Sequence, residues 1–185
     1  MELHKAIKTR CSVHKFKNKK PNWRGIIECI DSCRYAPMAG NNFTLKFVIV
    51  SDLKTIEKIS DAAQQPFISK AQYVVVVCSD PTRTLNSYEK RGEIYLRQQA
   101  GAAIQNFLLK INDMGMATCW VGHFVDEMIK EELKIPGKIQ IEAVLPIGYP
   151  LDKAQARKAK IDMDNILYFE KYGNKKMQEI KKIDV

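Results

Sequence analysis

Apolar side chains recur along the chain at two spacings, one typical of helices and one typical of strands. Apolar residues that recur every three or four positions predict amphipathic helices. The segments with this spacing are 3–8, 22–35, Leu53–Ala63, 86–114 and Asp126–Leu133. Asn22 and Ser51 stand where the second and third of these helices need a capping side chain. Gly115 is expected to end the longest one.

Runs rich in β-branched residues predict the strands. These runs are Leu45–Val50, 73–78, 116–121 and 139–147, with a short edge strand at 166–169. The run 73–78 has no strongly polar member, as in a strand that is buried on both faces. Helices that alternate with such strands predict a layered α+β or α/β fold, and the strand order of the sheet is not fixed by the sequence.

The predicted helix 86–114 carries its apolar residues on one stripe. Ala100, Ile104, Phe107 and Ile111 fall on that stripe, and Gly101 would let another backbone approach closely. Such a helix is either the central core helix of the fold or the surface on which two copies of the chain pack. Trp120, in the strand that follows, is predicted to be a core residue.

The composition is that of a globular protein. Hydrophobic residues make up 45% and charged residues 28% of the 185 positions, and residues 1–185 are expected to form one domain. No apolar run approaches the roughly 20 residues that span a bilayer, and the N-terminus lacks the apolar core of a signal peptide. We therefore predict a cytoplasmic protein without a membrane partner.

The formal net charge of +9 indicates an anionic partner, either nucleic acid or a nucleotide-like cofactor. Much of the excess lies near the two ends, and 171–185 reads as a basic C-terminal tail. No helix-turn-helix, zinc or RNA-recognition signature is present, and the aromatic residues are not interleaved with the basic runs. The pattern favours the cofactor over nucleic acid.

Five cysteines occur without a regular spacing, which argues against a disulfide framework. Cys29 and Cys33 are four positions apart on a predicted helix. They could be a pair of metal ligands or two buried thiols. No cysteine or histidine follows at the spacing of a zinc site, so no metal is expected.

The segment around Arg10 contains the most suggestive polar pattern. Arg10, Ser12 and His14 alternate, so in an extended backbone they share one face. A guanidinium, a hydroxyl and an imidazole on one face can bind a phosphate, although the same pattern fits a solvated strand end. Signatures of nucleotide-binding loops, zinc proteases and serine hydrolases are absent.

Four segments together resemble the nitroreductase family. Residues 8–16 are similar to its Arg-Arg-Ser-x-Arg-x-Phe motif, and 35–41 to its Ala-Pro-Ser-x-x-Asn loop. Residues 98–122 are similar to its long helix and the following Gly-Leu-Gly-Thr-x-Trp-x-Gly strand. Residues 147–150, Ile-Gly-Tyr-Pro, match its turn. The order of the four is that of the family.

The resemblance implies an FMN held at the interface of a homodimer, with a mostly antiparallel sheet in a three-layer α/β/α arrangement. It assigns Arg10 and Ser12 to the FMN phosphate, with Cys11 in place of a basic residue of the motif. Lys158 and Lys160 match the basic pair that completes the phosphate site. The residues implied at the flavin ring are Pro37, Met38, Ala39, Asn41, Gln65, Val121 and Gly122.

The implied function is an FMN-dependent oxidoreductase that transfers a hydride from NADH or NADPH to a nitroaromatic, a quinone or a similar small acceptor, by a ping-pong mechanism. No catalytic side chain is assigned, because FMN would carry the chemistry. The resemblance leaves open a flavin-fragmenting or reductively dehalogenating enzyme. A non-catalytic flavin-binding redox protein that uses an exposed Cys11 is also open.

His14 stands where the family usually has arginine or lysine. The matching side chain lies near the N1–C2 edge of the flavin, where the reduced ring carries negative charge. Histidine is cationic only when protonated, with an ordinary pKa of about 6.5. We therefore expect flavin reduction to depend more on pH near neutrality than it would beside a permanent cation.

Overall fold

A computed structural model of the chain describes residues 1–152 and 161–177, so Lys158 and Lys160 lie outside the described residues. The helices are α1 (Leu3–Thr9), α2 (Trp23–Ser32), α3 (Leu53–Ala63), α4 (Thr82–Asp113), α5 (Asp126–Leu133) and α6 (Met163–Ile166). The strands are β1 (Leu45–Val50), β2 (Tyr73–Ser79), β3 (Ala117–Thr118) and β4 (Gln140–Gly148). Short 3-10 helices occupy Cys33–Tyr35, Ala39–Asn41 and Pro66–Lys70.

The four strands form one antiparallel sheet in the order β1-β2-β4-β3. The predicted run 73–78 becomes β2, which is buried along its whole length. Val75 and Val77 pack against α2 and α4, while Val74 and Val76 pack against α3 and α5 on the other face. The alternation of side chains along a strand thus supplies two cores. The three-layer α+β fold with an antiparallel sheet is confirmed.

The apolar stripe of α4 belongs to one of these cores. Ala100, Ile104, Phe107 and Ile111 are all buried, and they contact the sheet and α2 within the same chain. Of the two interpretations of this helix, the central core helix is therefore the correct one for the stripe. No helix in the described part of the chain is long and apolar enough to cross a membrane.

Local capping explains the helix starts. Asn22 caps α2 as expected, its side chain accepting a hydrogen bond from the Arg24 N–H. The prediction of Ser51 as the cap of α3 is wrong by one residue. Asp52 fills that role and accepts from the Thr55 N–H at 2.9 Å, which lowers the pKa of its carboxyl. A carboxylate is also the better partner for the positive end of a helix.

Helix α4 begins at Thr82, four residues before the predicted start. Asp80, between the end of β2 and the start of α4, accepts hydrogen bonds from both the N–H and the hydroxyl of Thr82, the first residue of the helix. Glu89 then kinks the helix, with φ 47° and ψ −134°. The first part folds back at Gly92, where a Cβ would lie 2.8 Å from the Thr84 carbonyl oxygen.

Strand β3 pairs over only two residues of the predicted 116–121, with an isolated bridge from Val121 to Val144. The register places Cys119 opposite Pro146. Proline has no N–H to donate, so one hydrogen-bonded pair of the ladder cannot form there. Cys119 and Trp120 leave the ladder at this point, and Trp120 is 40% exposed, so its prediction as a core residue is wrong.

The predicted edge strand at 166–169 is also wrong. Asp162 caps the short helix α6 there, accepting from the Asp164 N–H. After α6 the chain turns back on itself, because Phe169 donates its N–H to the Asn174 carbonyl. These local partners satisfy the backbone without the sheet.

Cys29 and Cys33 are fully buried in the core between α2 and α4. Burial raises the pKa of each thiol to about 12, so both are protonated at neutral pH. The interpretation as buried apolar thiols is the one that the structure supports.

The strain at Glu89 can be tested directly. A non-glycine residue in this region of backbone space costs about 1–3 kcal/mol. We expect Glu89→Gly to raise the free energy of unfolding by about 1 kcal/mol, measured by urea denaturation. Glu93→Gly, an exposed position in the regular part of α4, should lower it by about 1 kcal/mol. Equal losses in both variants would contradict strain at Glu89.

Candidate functional site

The segment that carries Arg10, Ser12 and His14 lies against the end of β3 and the chain that follows β4. The Val13 N–H donates to the Thr118 carbonyl at 3.1 Å, and the Leu151 N–H donates to the Lys15 carbonyl at 2.9 Å. Phe16 forms an isolated bridge with Pro150. These backbone hydrogen bonds hold the segment extended.

Gly148 fixes how closely this segment approaches the sheet. Phe16 is buried directly over it, and a Cβ on Gly148 would lie 2.8 Å from the Phe16 ring. Only a glycine leaves room for the ring at this position. The Gly of the Ile-Gly-Tyr-Pro turn therefore positions the N-terminal segment.

Ser12 and His14 of this segment bond to Cys119, and Arg10 acts on it through its charge. The Nε2 atom of His14 lies 3.3 Å from Cys119 Sγ. Burial raises the pKa of the Cys119 thiol, while a hydrogen bond from Ser12 and the charge of Arg10 lower it by less. Two members of the predicted common face, Ser12 and His14, thus share Cys119 as a hydrogen-bond partner.

Phe67 covers the other side of His14. The two rings are 4.2 Å apart between centroids and tilted by 32°. Phe67 follows Gln65, whose main chain is fixed by a hydrogen bond that Ser60 donates to the Gln65 carbonyl at 3.0 Å. Within the described part of the chain, the side-chain amide of Gln65 makes no hydrogen bond, so it is available to a ligand near His14.

Val121 and Gly122 follow Cys119 directly. Val121 exchanges two backbone hydrogen bonds of 3.0 Å with Val144, which fixes the backbone beyond the interruption at Cys119. Gly122 is exposed, and a Cβ there would meet nothing closer than the Trp120 Nε1 atom at 3.9 Å. The space in front of Gly122 is open in the single chain.

The loop with Pro37, Met38, Ala39 and Asn41 lies elsewhere, against α4. The Ala39 N–H donates to the Oε1 of Gln99 at 3.2 Å, and the Nε2 of Gln99 donates to the Thr44 hydroxyl at 2.7 Å. Gln99 and Thr44 are both buried. A buried amide thus fastens this loop to the core helix, and sequence reasoning missed it because an isolated glutamine has no distinguishing pattern.

The loop borders a groove of about 420 Å³. Tyr88 and Tyr95 lie on its other side with their rings edge to face, 5.1 Å apart. Gly40 is in the left-handed region at φ 58°, and a Cβ there would lie 2.9 Å from the Tyr88 hydroxyl. The loop is therefore held closely against the tyrosines.

The predicted site residues form two groups, 10–14 and 37–41, and the structure does not bring these groups together within one chain. Among residues 1–152 and 161–177, no hydrogen bond, ion pair or ring contact joins 10–14 to 37–41. Cys11, which was expected to be exposed, is partly buried against Val13 and Ala117. In the same range, no three histidine, cysteine, aspartate or glutamate side chains form a group that could hold a metal ion.

Comparison with known proteins agrees with the geometry. A model of the nitroreductase family matches residues 60–149, from the end of α3 to the end of β4. The crystal structure of a nitroreductase family protein from Clostridium novyi NT is 29% identical, with a TM-score of 0.73 over 94% of this chain and 96% of that one. Over most of its length the chain is therefore similar to proteins of the nitroreductase family.

Two curated relatives of the chain carry functional names. A candidate NADH dehydrogenase/NAD(P)H nitroreductase from Archaeoglobus fulgidus is 29% identical over 157 residues, which is 82% of this chain and 87% of the relative. An iodotyrosine deiodinase from Thermotoga neapolitana is 22% identical over 176 residues, 81% of this chain and 89% of the relative.

The match to the family model includes only some of the candidate residues. Gln65, Val121 and Gly122 lie within the matched residues 60–149, whereas 10–14 and 37–41 precede them. The assignment of the N-terminal residues therefore rests on the motif and on the contacts of Ser12 and His14 with Cys119.

Gln99 offers a test of how the 37–41 loop is held. Gln99→Met leaves the Ala39 N–H and the Thr44 hydroxyl without their partner, which should cost about 1–3 kcal/mol of unfolding free energy in urea denaturation. Gln98→Met, at the exposed neighbour, should change it by less than about 0.5 kcal/mol. Similar values for the two variants would show that the buried amide does not hold the loop.

Proposed function

We propose that this chain binds FMN between two copies of itself and passes electrons from NADH or NADPH to a small acceptor such as a nitroaromatic or a quinone. The observation that carries the proposal is that Ser12 and His14 both bond to Cys119, three residues before the open backbone at Gly122, with the charge of Arg10 also acting on that thiol. This cytoplasmic enzyme would be an oxidoreductase that works by a ping-pong mechanism.

The donor set fits FMN. Arg10 and Ser12 supply a guanidinium and a hydroxyl, which suit the phosphate dianion, and Lys158 and Lys160 would add cations. His14 and Gln65 offer donors for the polar edge of the flavin. Gly122 leaves its backbone accessible because no side chain stands in front of it. Bound FMN would supply the redox chemistry.

A shared site explains why the predicted residues form two groups. Pro37, Met38, Ala39 and Asn41 lie apart from 10–14 in one chain, so in this proposal they reach the flavin from the partner subunit. A candidate contact surface lies on α1 and the 3-10 helix after α2, where Leu3 is 67% and Tyr35 is 77% exposed. Together with Leu109 they line an apolar groove of about 350 Å³.

The first test is cofactor binding and turnover. The purified protein should be yellow or take up added FMN, sediment as a dimer, and oxidise NADH or NADPH when a nitroaromatic or a quinone is present. Arg10→Ala should weaken FMN binding by about 10- to 100-fold, because one charged hydrogen bond is worth about 1.5–3 kcal/mol. A colourless monomer that refuses FMN would overturn the proposal.

A matched control separates phosphate binding from net charge. Lys17→Ala removes the same charge from an exposed position on the same segment. It should leave FMN affinity within about twofold at moderate ionic strength, since exposed charges are screened. An equal loss in both variants would indicate general electrostatic attraction instead of a site at Arg10.

His14 leads to a pH test. Each proton taken up in a two-electron reduction adds about 30 mV per pH unit to the slope of the midpoint potential. If His14 gains a proton when the flavin is reduced, the slope near pH 7 should be about 30 mV per pH unit steeper than in His14→Arg. Potentiometry at several pH values measures this, and equal slopes would remove His14 from the redox step.

The relationship to the iodotyrosine deiodinase favours one second candidate, reductive dehalogenation. Tyr88 and Tyr95 line the groove beside the 37–39 loop and would suit an aromatic ring. Including iodotyrosine in the acceptor panel and measuring released iodide distinguishes this activity from nitro or quinone reduction.

A further inference from the structure

Cys119 has an unusual position in the sheet. It is the residue at which β3 leaves its ladder, because Pro146 opposite has no N–H to donate. The residue is still buried in the core that α3 and α5 form with the sheet. Its Sγ atom lies 3.3 Å from His14 Nε2, within the range of a sulfur hydrogen bond.

The direction of this hydrogen bond follows from the groups around the sulfur. A thiol has one proton, and its possible acceptors are His14 Nε2 at 3.3 Å and the Trp120 carbonyl oxygen at 3.8 Å. The nearer one is the stronger acceptor, since a neutral imidazole nitrogen carries a free lone pair. Burial keeps the thiol protonated by raising its pKa, and Ser12 donates a hydrogen bond to the sulfur.

The remaining contacts of His14 leave its Nδ1 atom without a hydrogen-bond partner among the described residues. Phe67 covers one face of the ring, and the residue as a whole is exposed. The basic groups near it are Arg10 and Lys15 on its own segment and Lys70 on the 3-10 helix beside it. Within the described ranges no carboxylate pairs with His14. The thiol is therefore the group that determines which ring nitrogen carries the proton.

We propose that Cys119 is a positioning residue for His14: its thiol donates to Nε2, fixes the imidazole in the tautomer with the proton on Nδ1, and so presents an N–H donor to the bound cofactor. This inference rests on the proposed function for the identity of the ligand. The tautomer itself is a property of the chain and can be measured without it.

Nitrogen NMR of the ¹⁵N-histidine-labelled full-length protein reads the tautomer directly. The chain has three histidines, so His14→Gln identifies the His14 signals. In the wild type the Nδ1–H form should dominate. In Cys119→Ala the ratio of Nδ1–H to Nε2–H should fall about five- to tenfold, which corresponds to the loss of one hydrogen bond.

Two further variants keep the test decisive. Cys119→Ser keeps a hydrogen-bond donor of similar size and should retain the Nδ1–H form. This variant also tests the inference if the alanine variant does not fold. Cys78→Ala removes another buried thiol, one that lies in β2, and should leave the His14 signals unchanged. Wild-type protein in the Nε2–H form, or an unchanged ratio in Cys119→Ala, would overturn the inference.

Adding FMN to the same samples separates this inference from the proposed function. Cys119→Ala should bind FMN about five- to tenfold more weakly than the wild type, and Cys119→Ser within about twofold of it. If no variant binds FMN, the proposed function fails while the tautomer result stands. If FMN binds equally to all of them, Cys119 does not position His14 for the cofactor.

Discussion

The candidate site depends on the hydrogen bonds that hold residues 13–17 against the end of the sheet. Val13 is bonded to Thr118, and Lys15 and Lys17 are bonded to the chain after β4. Phe16, buried over Gly148, sets the depth at which the segment lies. Ser12 and His14 take their positions from these contacts, whereas Arg10 is also held by α1, because its N–H donates to the Ala6 carbonyl.

Much of the fold could be predicted from the sequence, because the positions at which apolar residues recur are the positions that are buried in the structure. Leu45–Val50 and Asp126–Leu133 were predicted with their observed bounds because turn or capping residues flank a clear periodic pattern. The errors have tertiary causes. Pro146 acts on β3 across the sheet, and the kink at Glu89 depends on space provided by Gly92. Neither effect appears in the periodicity of the affected segment.

The candidate site was predictable only in part. Alternation alone indicated that Arg10, Ser12 and His14 share a face, because an extended backbone has one geometry. Cys119 and Gln99 could not be found in this way, since each acts across the fold on a residue more than fifty positions away. The resemblance to a family supplied the roles, while the contacts that fix those roles required coordinates.

The separation of the two groups of residues has a genetic consequence. If each flavin lies between the N-terminal segment of one subunit and the Gln99-anchored loop of the other, a defect in either group disables both pockets of a dimer made from identical chains. A mixed dimer, with one chain altered at Arg10 and the other at Gln99, collects both defects in one pocket and leaves the second intact. Two inactive chains of this protein would then complement each other when they are produced in one cell.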